Sequence, residues 1–463
     1  MLSLKLKEIV EAVDGKILQG NPDQVVNNMD IDSRRVKPGD LFFAIVGENN
    51  DGHNFIPEAI DNGAKIVITS RSIKPYSGLA IILVRDTTRA LQDLASFIRN
   101  EIKSLKVIGI TGSAGKTTTK DIIASILSEE KKVLKSKGNY NNEYGLPLSL
   151  LELDGNEDIA ILEMAMRNRG DISRLAEIAN PDIGVITNIG PAHLKNLKTI
   201  ENVARAKEEL LIGLNSEGIA VLNYDDEYIR DMVNKFGDLN KITISLKDEK
   251  VDYYADQIEY IKNGEESRFR VHEGENTYIL EMDRAGEHNI YNALAAIAVA
   301  RALNISWDSV KNGIKDIEVT ELRQEIRKID GIRIINDSYN ANPLSMKAGI
   351  DSLINIDGER KIAVLGAMLE LGRIETAAHK EIGKYLYKNG IDVLIGVGSM
   401  GEIIAEGASE SGMAEQNIYV FTSNEDAASF INKTKRSGDA ILVKGSRALE
   451  MEEIVDLLLE YGG

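Results

Sequence analysis

The sequence predicts an α/β protein of three domains, and three observations carry that prediction. The first is LKVIGITGSAGKTTTK at 105–120. A short apolar run (Val107, Ile108, Ile110) enters a glycine turn, and the apolar residues of the following DIIASILSEE recur at helical spacing. The second is the pattern beyond about 317. IRIINDSYNANP, KIAVLGAMLELG, DVLIGVGSMG, NIYVFTS and ILVKGS are strand-like runs separated by helical ones, the alternation of a doubly wound parallel sheet. The third is residues 1–85, where short strand-like and helical patterns make a small α/β unit. The expected domains are 1–85, 86–316 with a mostly parallel sheet, and a Rossmann-like 317–463.

Composition bounds what these domains do. A hydrophobic fraction of 43% supports real cores. With no cysteine, neither a disulfide framework nor a thiolate metal site is available, which suits a reducing cytosol. MLSLKLKEIVEAVDG alternates charged and apolar residues, and no stretch approaches a membrane span, so no signal peptide or membrane insertion is expected. A net charge of −18 argues against a nucleic-acid surface. An anionic ligand must then be held by N–H cradles, metal ions and individual cations.

In the first domain, Asp32, Ser33 and Arg34 precede a turn at Lys37-Pro38-Gly39-Asp40 and a buried strand, LFFAIV; a polar loop ending in Asp51, Gly52 and His53 follows. The helical TTRALQDLASFIRNEIK delivers the chain to the glycine turn. There Thr111, Gly112, Ser113, Ala114, Gly115, Lys116, Thr117 and Thr118 describe a phosphate cradle. Glycines let backbone N–H groups approach phosphate oxygens, the helix N-terminus adds positive charge, Lys116 reaches the β/γ-phosphates and Thr117 offers its hydroxyl to Mg²⁺. Ile110 stands where the general pattern has a glycine.

Beyond a strand at 131–134, Asn139, Asn141 and Asn142 lie in a polar turn, as ligand groups or as turn formers. DIAILEMAM is a buried parallel strand ending in Glu163. Ligands of open α/β sheets sit beyond such ends, and a carboxylate there suits Mg²⁺. A second strand end, PDIGVITNIG, leads to His193, which faces either the same crevice or solvent. Lys207, in the helical TIENVARAKEELLIGL, reads as part of a solvated acidic face. Strands at 219–222 and 241–245 and a meander of short strands over 248–282 precede the helix AGEHNIYNALAAIAVARAL. Asn289 and Asn292 share one face of that helix, as base-edge ligands or as caps. Gly396, Gly398 and Gly401 spell a dinucleotide fingerprint, but the next strand, YVFTSN, ends without the acid that a nicotinamide or flavin site needs.

In this order the pieces resemble the Mur ligase family of ATP-dependent amide-bond-forming enzymes, over essentially the whole chain. The words that carry the resemblance are DSRRVKPGDLFFAIVGENNDGHNFI at 32–56, GNYNNEYGLPLSLL at 138–151, NDSYNANPLSM at 336–346 and LVKGSRALEMEEIV at 442–455. They point to the branch that adds D-alanyl-D-alanine to UDP-N-acetylmuramoyl-tripeptide through an acyl phosphate, in a cytoplasmic, monomeric enzyme; a folate–glutamate or pseudomurein-peptide ligase is the alternative. The resemblance implies UDP-binding, ATPase and dipeptide-receiving domains in that order. It implies ATP phosphates on Gly112, Gly115, Lys116 and Thr117, one Mg²⁺ on Thr117 and Glu163, and a second near His193. It further implies a carbamylated Lys207 and adenine on Asn289 and Asn292. Arg323 and Asp337 would reach the γ-phosphate and ribose, Tyr339 and Asn340 the dipeptide, and Ser33, Arg34, Asn141 and Asn142 the UDP-sugar side. The chain departs from the family at Ala165, at Ala367 in place of an acid, and at Leu197-Lys198-Thr199.

Overall fold

The computed structural model describes residues 2–461 apart from Glu48, Asp316 and Val319, so the boundary expected at 316 lies outside the described residues. Three large sheets organise the chain. The first has the order Lys16–Gln19, Ala80–Leu83, Ile66–Thr69, Leu41–Phe43, Met29–Asp30, parallel except at its first pair. The strand expected over LFFAIV is only three residues long. Gly52 N donates to Ile45 O at 2.7 Å and folds the chain back on itself.

The second sheet has nine strands. Lys106–Thr111 lies between Ile159–Glu163 and Ile183–Ile186. From its carboxyl end the chain crosses to the edge strand Val133–Lys135, returns to Ile159–Glu163, and then passes to the other side. Crossovers that leave one strand in opposite directions open a crevice beyond its end. Ile219–Asn223 and Asn240–Ser245 continue the parallel order. The expected meander is an antiparallel edge of Tyr253–Ile261, Glu266–Glu273 and Asn276–Met282, longer than the short strands the sequence suggested. Val107, Ala160 and Leu162 on one face join a core shared with Leu6, Leu41 and Phe43 of the first unit, bridged by Thr87–Glu101. Ile108, Ile110 and Ile161 on the other pack with the helices Lys116–Ser128 and Glu287–Ala302. A strand buried on both faces is apolar throughout, which is why these runs read as continuous.

The third sheet has the order Glu325–Ile329, Ile332–Asn336, Asp439–Lys444, Arg360–Leu365, Val393–Val397, Ile418–Phe421, parallel except at its first pair. A Cβ on Gly396 would sit 2.5 Å from the Gly401 carbonyl oxygen. These glycines therefore seat the helix Gly398–Glu410 against its strand.

Candidate active site

The glycine turn lies at the crevice of the central sheet and is braced from beneath. Ser113 N donates to Asn188 O at 3.0 Å and Ala114 N to Asn188 Oδ1 at 2.8 Å, while Thr187 Oγ1 donates to Ala114 O at 2.6 Å. Gly115 has φ 81°, and a Cβ there would fall 2.5 Å from Asn292 Oδ1. It precedes the helix without capping it by a side chain, which leaves the first N–H groups open to an anion. Lys116 Nζ donates to Gly112 O at 2.9 Å, and Thr118 lines the same cavity. Among the described residues the buried hydroxyl of Thr111 has no hydrogen-bond partner.

Glu163 closes the floor. Its carboxylate accepts from Thr117 Oγ1 at 2.7 Å and from Asn141 Nδ2 at 2.9 Å. Asn142 is a turn former here: its Oδ1 accepts from the N–H groups of Tyr144 and Gly145. Burial pushes the Glu163 carboxyl up, but the charges of Lys116 and Arg323 and the Thr117 hydrogen bond outweigh it and hold it below its ordinary value. Burial lowers Lys116 against the opposing pull of Glu163.

Lys207 does not lie on a solvated face. It is 2% exposed, and burial first and the Lys116 charge second hold its amine well below the ordinary lysine range. The helix Ile200–Ile212 buries Val203, Ala206, Lys207 and Leu210, so Lys207 occupies an apolar-stripe position. The flanking Glu208 and Glu209 disguised that stripe in the sequence.

The N-terminus of Glu287–Ala302 forms the opposite wall. Asn289 Nδ2 donates to Ala285 O at 2.7 Å and to Gln324 Oε1 at 3.1 Å, and Thr119 Oγ1 donates to Asn292 Oδ1 at 3.2 Å. The third sheet completes the site. The Arg323 guanidinium lies 4.1 Å from the Tyr339 ring centroid, and its buried Nε has no hydrogen-bond partner among the described residues. Lys444, 1% exposed, donates to Asp337 Oδ2 at 2.6 Å and to Asn340 O at 2.9 Å. Asn342 Nδ2 donates to Ser113 O at 3.0 Å, and His193 Nδ1 faces Glu370 Oε2 at 2.5 Å. That His193 contact lowers the Glu370 carboxyl.

Most of these residues line a cavity of about 1130 Å³, while Thr111, Gly112, Thr119, Thr187 and Lys207 are not among its lining. It gathers the loop residues from Ser113 to Thr118 with Asn141, Asn142, Glu163, His193, Asn289, Asn292, Arg323, Asp337, Tyr339 and Asn340. Ser33 and Arg34 are not among its lining. Ser33 donates to Glu58 and Arg34 pairs with its own neighbour Asp32. Arg35 instead crosses to the central unit, donating to Tyr140 Oη at 2.5 Å. Sequence reasoning missed Gln324, Asn342, Glu370 and Lys444. The signal for Lys444 was present, since it ends a buried apolar run just as Glu163 does.

Comparison with known proteins identifies relatives along the whole chain. The Mur ligase middle domain matches residues 110–300, the Mur ligase glutamate ligase domain 322–447, and the Mur ligase family catalytic domain 25–99. The chain is 37% identical to UDP-N-acetylmuramoyl-tripeptide–D-alanyl-D-alanine ligase of Bacillus subtilis (strain 168), over 99% of each. A crystal structure of MurF from Acinetobacter baumannii superposes with a TM-score of 0.91 at 30% identity, covering 99% of both chains. MurF ligase from Thermotoga maritima in complex with ADP gives 0.84 at 30%, covering 94% of this chain and 98% of that one. The chain belongs to the Mur ligase family, in its MurF branch.

Proposed function

We propose that this chain joins D-alanyl-D-alanine to UDP-N-acetylmuramoyl-tripeptide with ATP, releasing ADP and phosphate, in peptidoglycan precursor synthesis. The observation that carries the reading is one cavity where a phosphate loop, a strand-end carboxylate, an amide pair and an arginine from the segment leading into the third sheet converge. The 37% identity to a ligase named for those substrates supports it. We assign the UDP-sugar peptide to 1–85 with Ser33, Arg34, Asn141 and Asn142, ATP to 86–316, and the dipeptide to 317–463 near Tyr339 and Asn340. Asn289 and Asn292 would hold the base, Asp337 the ribose and Arg323 the γ-phosphate.

The residues fit Mg²⁺. Thr117 and Glu163 bring hard oxygen donors within 2.7 Å of each other. Among the described residues no cluster of three His, Asp or Glu could hold a metal by itself. That suits an ion that shares its shell with phosphates and water. His193 would serve a second ion. When bound, the cation offsets charge on the transferring phosphoryl group.

In the chemistry, a substrate carboxylate oxygen attacks the γ-phosphorus and the bond to ADP breaks, giving an acyl phosphate. The dipeptide amine then attacks the acyl carbon, loses a proton, and phosphate leaves. Lys116 and the loop N–H groups hold the phosphates in line, and Arg323 adds positive charge where negative charge gathers. We read Lys207 as the site of carbamylation: its neutral amine would add to CO₂ and release a proton, giving a buried anion that compensates the charge of Lys116. Among the described residues no helix is long and apolar enough to cross a membrane. We place the reaction in the cytoplasm, where ATP and nucleotide-activated sugars are found. We read the enzyme as a monomer, since one chain supplies every wall of the cavity.

The test is phosphate release with ATP, Mg²⁺ and UDP-N-acetylmuramoyl-tripeptide, with and without D-alanyl-D-alanine. Release should need every component and yield a product heavier by the dipeptide. Lys116→Ala should lose it by at least about a thousandfold while melting like the parent. Turnover with another amine only would overturn the substrate pair.

A further inference from the structure

The segment 320–324 joins the central sheet to the third one, and it is held in an uncommon backbone. Leu322 and Gln324 have φ values of 62° and 52°, a left-handed conformation that costs a side-chain-bearing residue about a kcal/mol or more. Its start is tied to the phosphate-loop helix, where Thr320 N and Oγ1 donate to Asp121 Oδ2 at 3.0 and 2.8 Å. Its end is tied by Gln324. Oε1 faces His288 Nε2 at 3.1 Å and accepts from Asn289 Nδ2 at 3.1 Å; Nε2 donates to Ser352 Oγ at 3.1 Å. Burial keeps His288 low, in the neutral form that donates from one nitrogen only. One amide thus joins the helix that carries the asparagine pair to Pro343–Asn355 of the third unit.

Asn289 Nδ2 has two hydrogens, and both are engaged, one by Ala285 O at 2.7 Å and one by Gln324 Oε1 at 3.1 Å. A purine edge takes an amide donor as well as an amide acceptor. To give it one, Asn289 must release a partner, and the longer bond, to the strained residue, is the one to yield. We propose that Gln324 is a positioning residue for ligation: the base displaces it from Asn289, and the displacement frees the 320–324 segment so that the third unit can bring Arg323 onto the phosphates. The inference rests on reading Asn289 and Asn292 as the base-holding pair.

The test compares wild type, Gln324→Met and Ser352→Ala by calorimetric titration with Mg·ADP and by hydrogen exchange of 320–326 and 343–355. Met keeps the length of the side chain and removes all three polar contacts, to His288, Asn289 and Ser352. Gln324→Met should bind ADP roughly threefold to tenfold more tightly, the exchange of one hydrogen bond. Its 320–326 amides should exchange fast with or without ADP, whereas wild-type amides speed up only when ADP binds. Ser352→Ala should keep wild-type ADP affinity within about twofold and its response at 320–326, but lose the response at 343–355. Gln324→Met with wild-type affinity and an ADP-dependent 320–326 segment would overturn the inference alone, as would a lowered melting temperature with neither readout changed. A 343–355 response intact in Ser352→Ala would overturn the transmission. A wild type that binds no ADP would overturn the base site and the inference together.

Discussion

Lys207 shows how one side chain carries opposed demands. An ammonium at 2% exposure beside Lys116 is an unfavourable place for a charge, and its proton affinity falls accordingly. Below the folded pKa the lysine is charged in both states and the penalty on the fold is complete. Between the folded value and 10.5 the unfolded chain still binds the proton that the folded chain has shed. Stability therefore rises with pH through that window. Lys207→Met should accordingly raise the unfolding free energy at neutral pH in CO₂-free buffer, with a gain that fades as the pH approaches 10.5. Urea titrations at three pH values read this directly, and a gain independent of pH would show that packing rather than charge is responsible. The same variant should not ligate.

At the scale of elements, the glycine turn and the helix Glu287–Ala302 are fitted to each other through one missing Cβ. Gly115→Ala must hold alanine at φ 81° and drive its Cβ against Asn292 Oδ1, which already accepts from Thr119. The strain costs about 1–2 kcal/mol. The displaced asparagine adds a loss in nucleotide affinity, so ADP should bind at least tenfold more weakly while the melting temperature falls by only a few degrees; unchanged affinity would uncouple the two elements. The sheets and this loop were legible in the sequence because each rests on local rules: apolar runs bounded by glycine, and a carboxylate where a run ends. Glu163 was readable for that reason. The far side of the cavity was not, because Arg323, Gln324, Asn342 and Glu370 matter through partners up to 229 positions away in sequence. Nothing in the composition of LRQE marks a segment whose backbone is left-handed at two residues. The Ala367 departure illustrates the same limit. Glu370, three residues on, supplies a carboxylate that crosses to His193.

For the whole molecule, catalysis depends on holding the third sheet's unit against the phosphate loop, and Asn342 separates that task from simple folding. Its Oδ1 caps Pro343–Asn355 by accepting from Ser345 N at 2.9 Å, while its Nδ2 reaches across to Ser113 O at 3.0 Å. Other ties between the central and third units include the His193–Glu370 contact, Lys195 N donating to Glu370 O at 2.9 Å, Lys328 and Arg333 donating to Glu265 at 2.7 and 3.1 Å, and Asn289 donating to Gln324. Serine is as good a helix cap as asparagine but too short to reach Ser113. Asn342→Ser should therefore melt with the parent and bind ADP as tightly. Losing one cross-unit hydrogen bond of about 1 kcal/mol should reduce the time spent in the assembled arrangement, lowering kcat roughly fivefold. Asn342→Ala removes the cap as well and should lose about a further 1 kcal/mol of stability without a further fall in kcat. Measuring kcat, ADP affinity and urea unfolding on both variants separates the two roles of one amide. If serine leaves kcat at the wild-type value, the contact with Ser113 holds nothing that turnover needs, and the remaining ties between the two units carry the assembly.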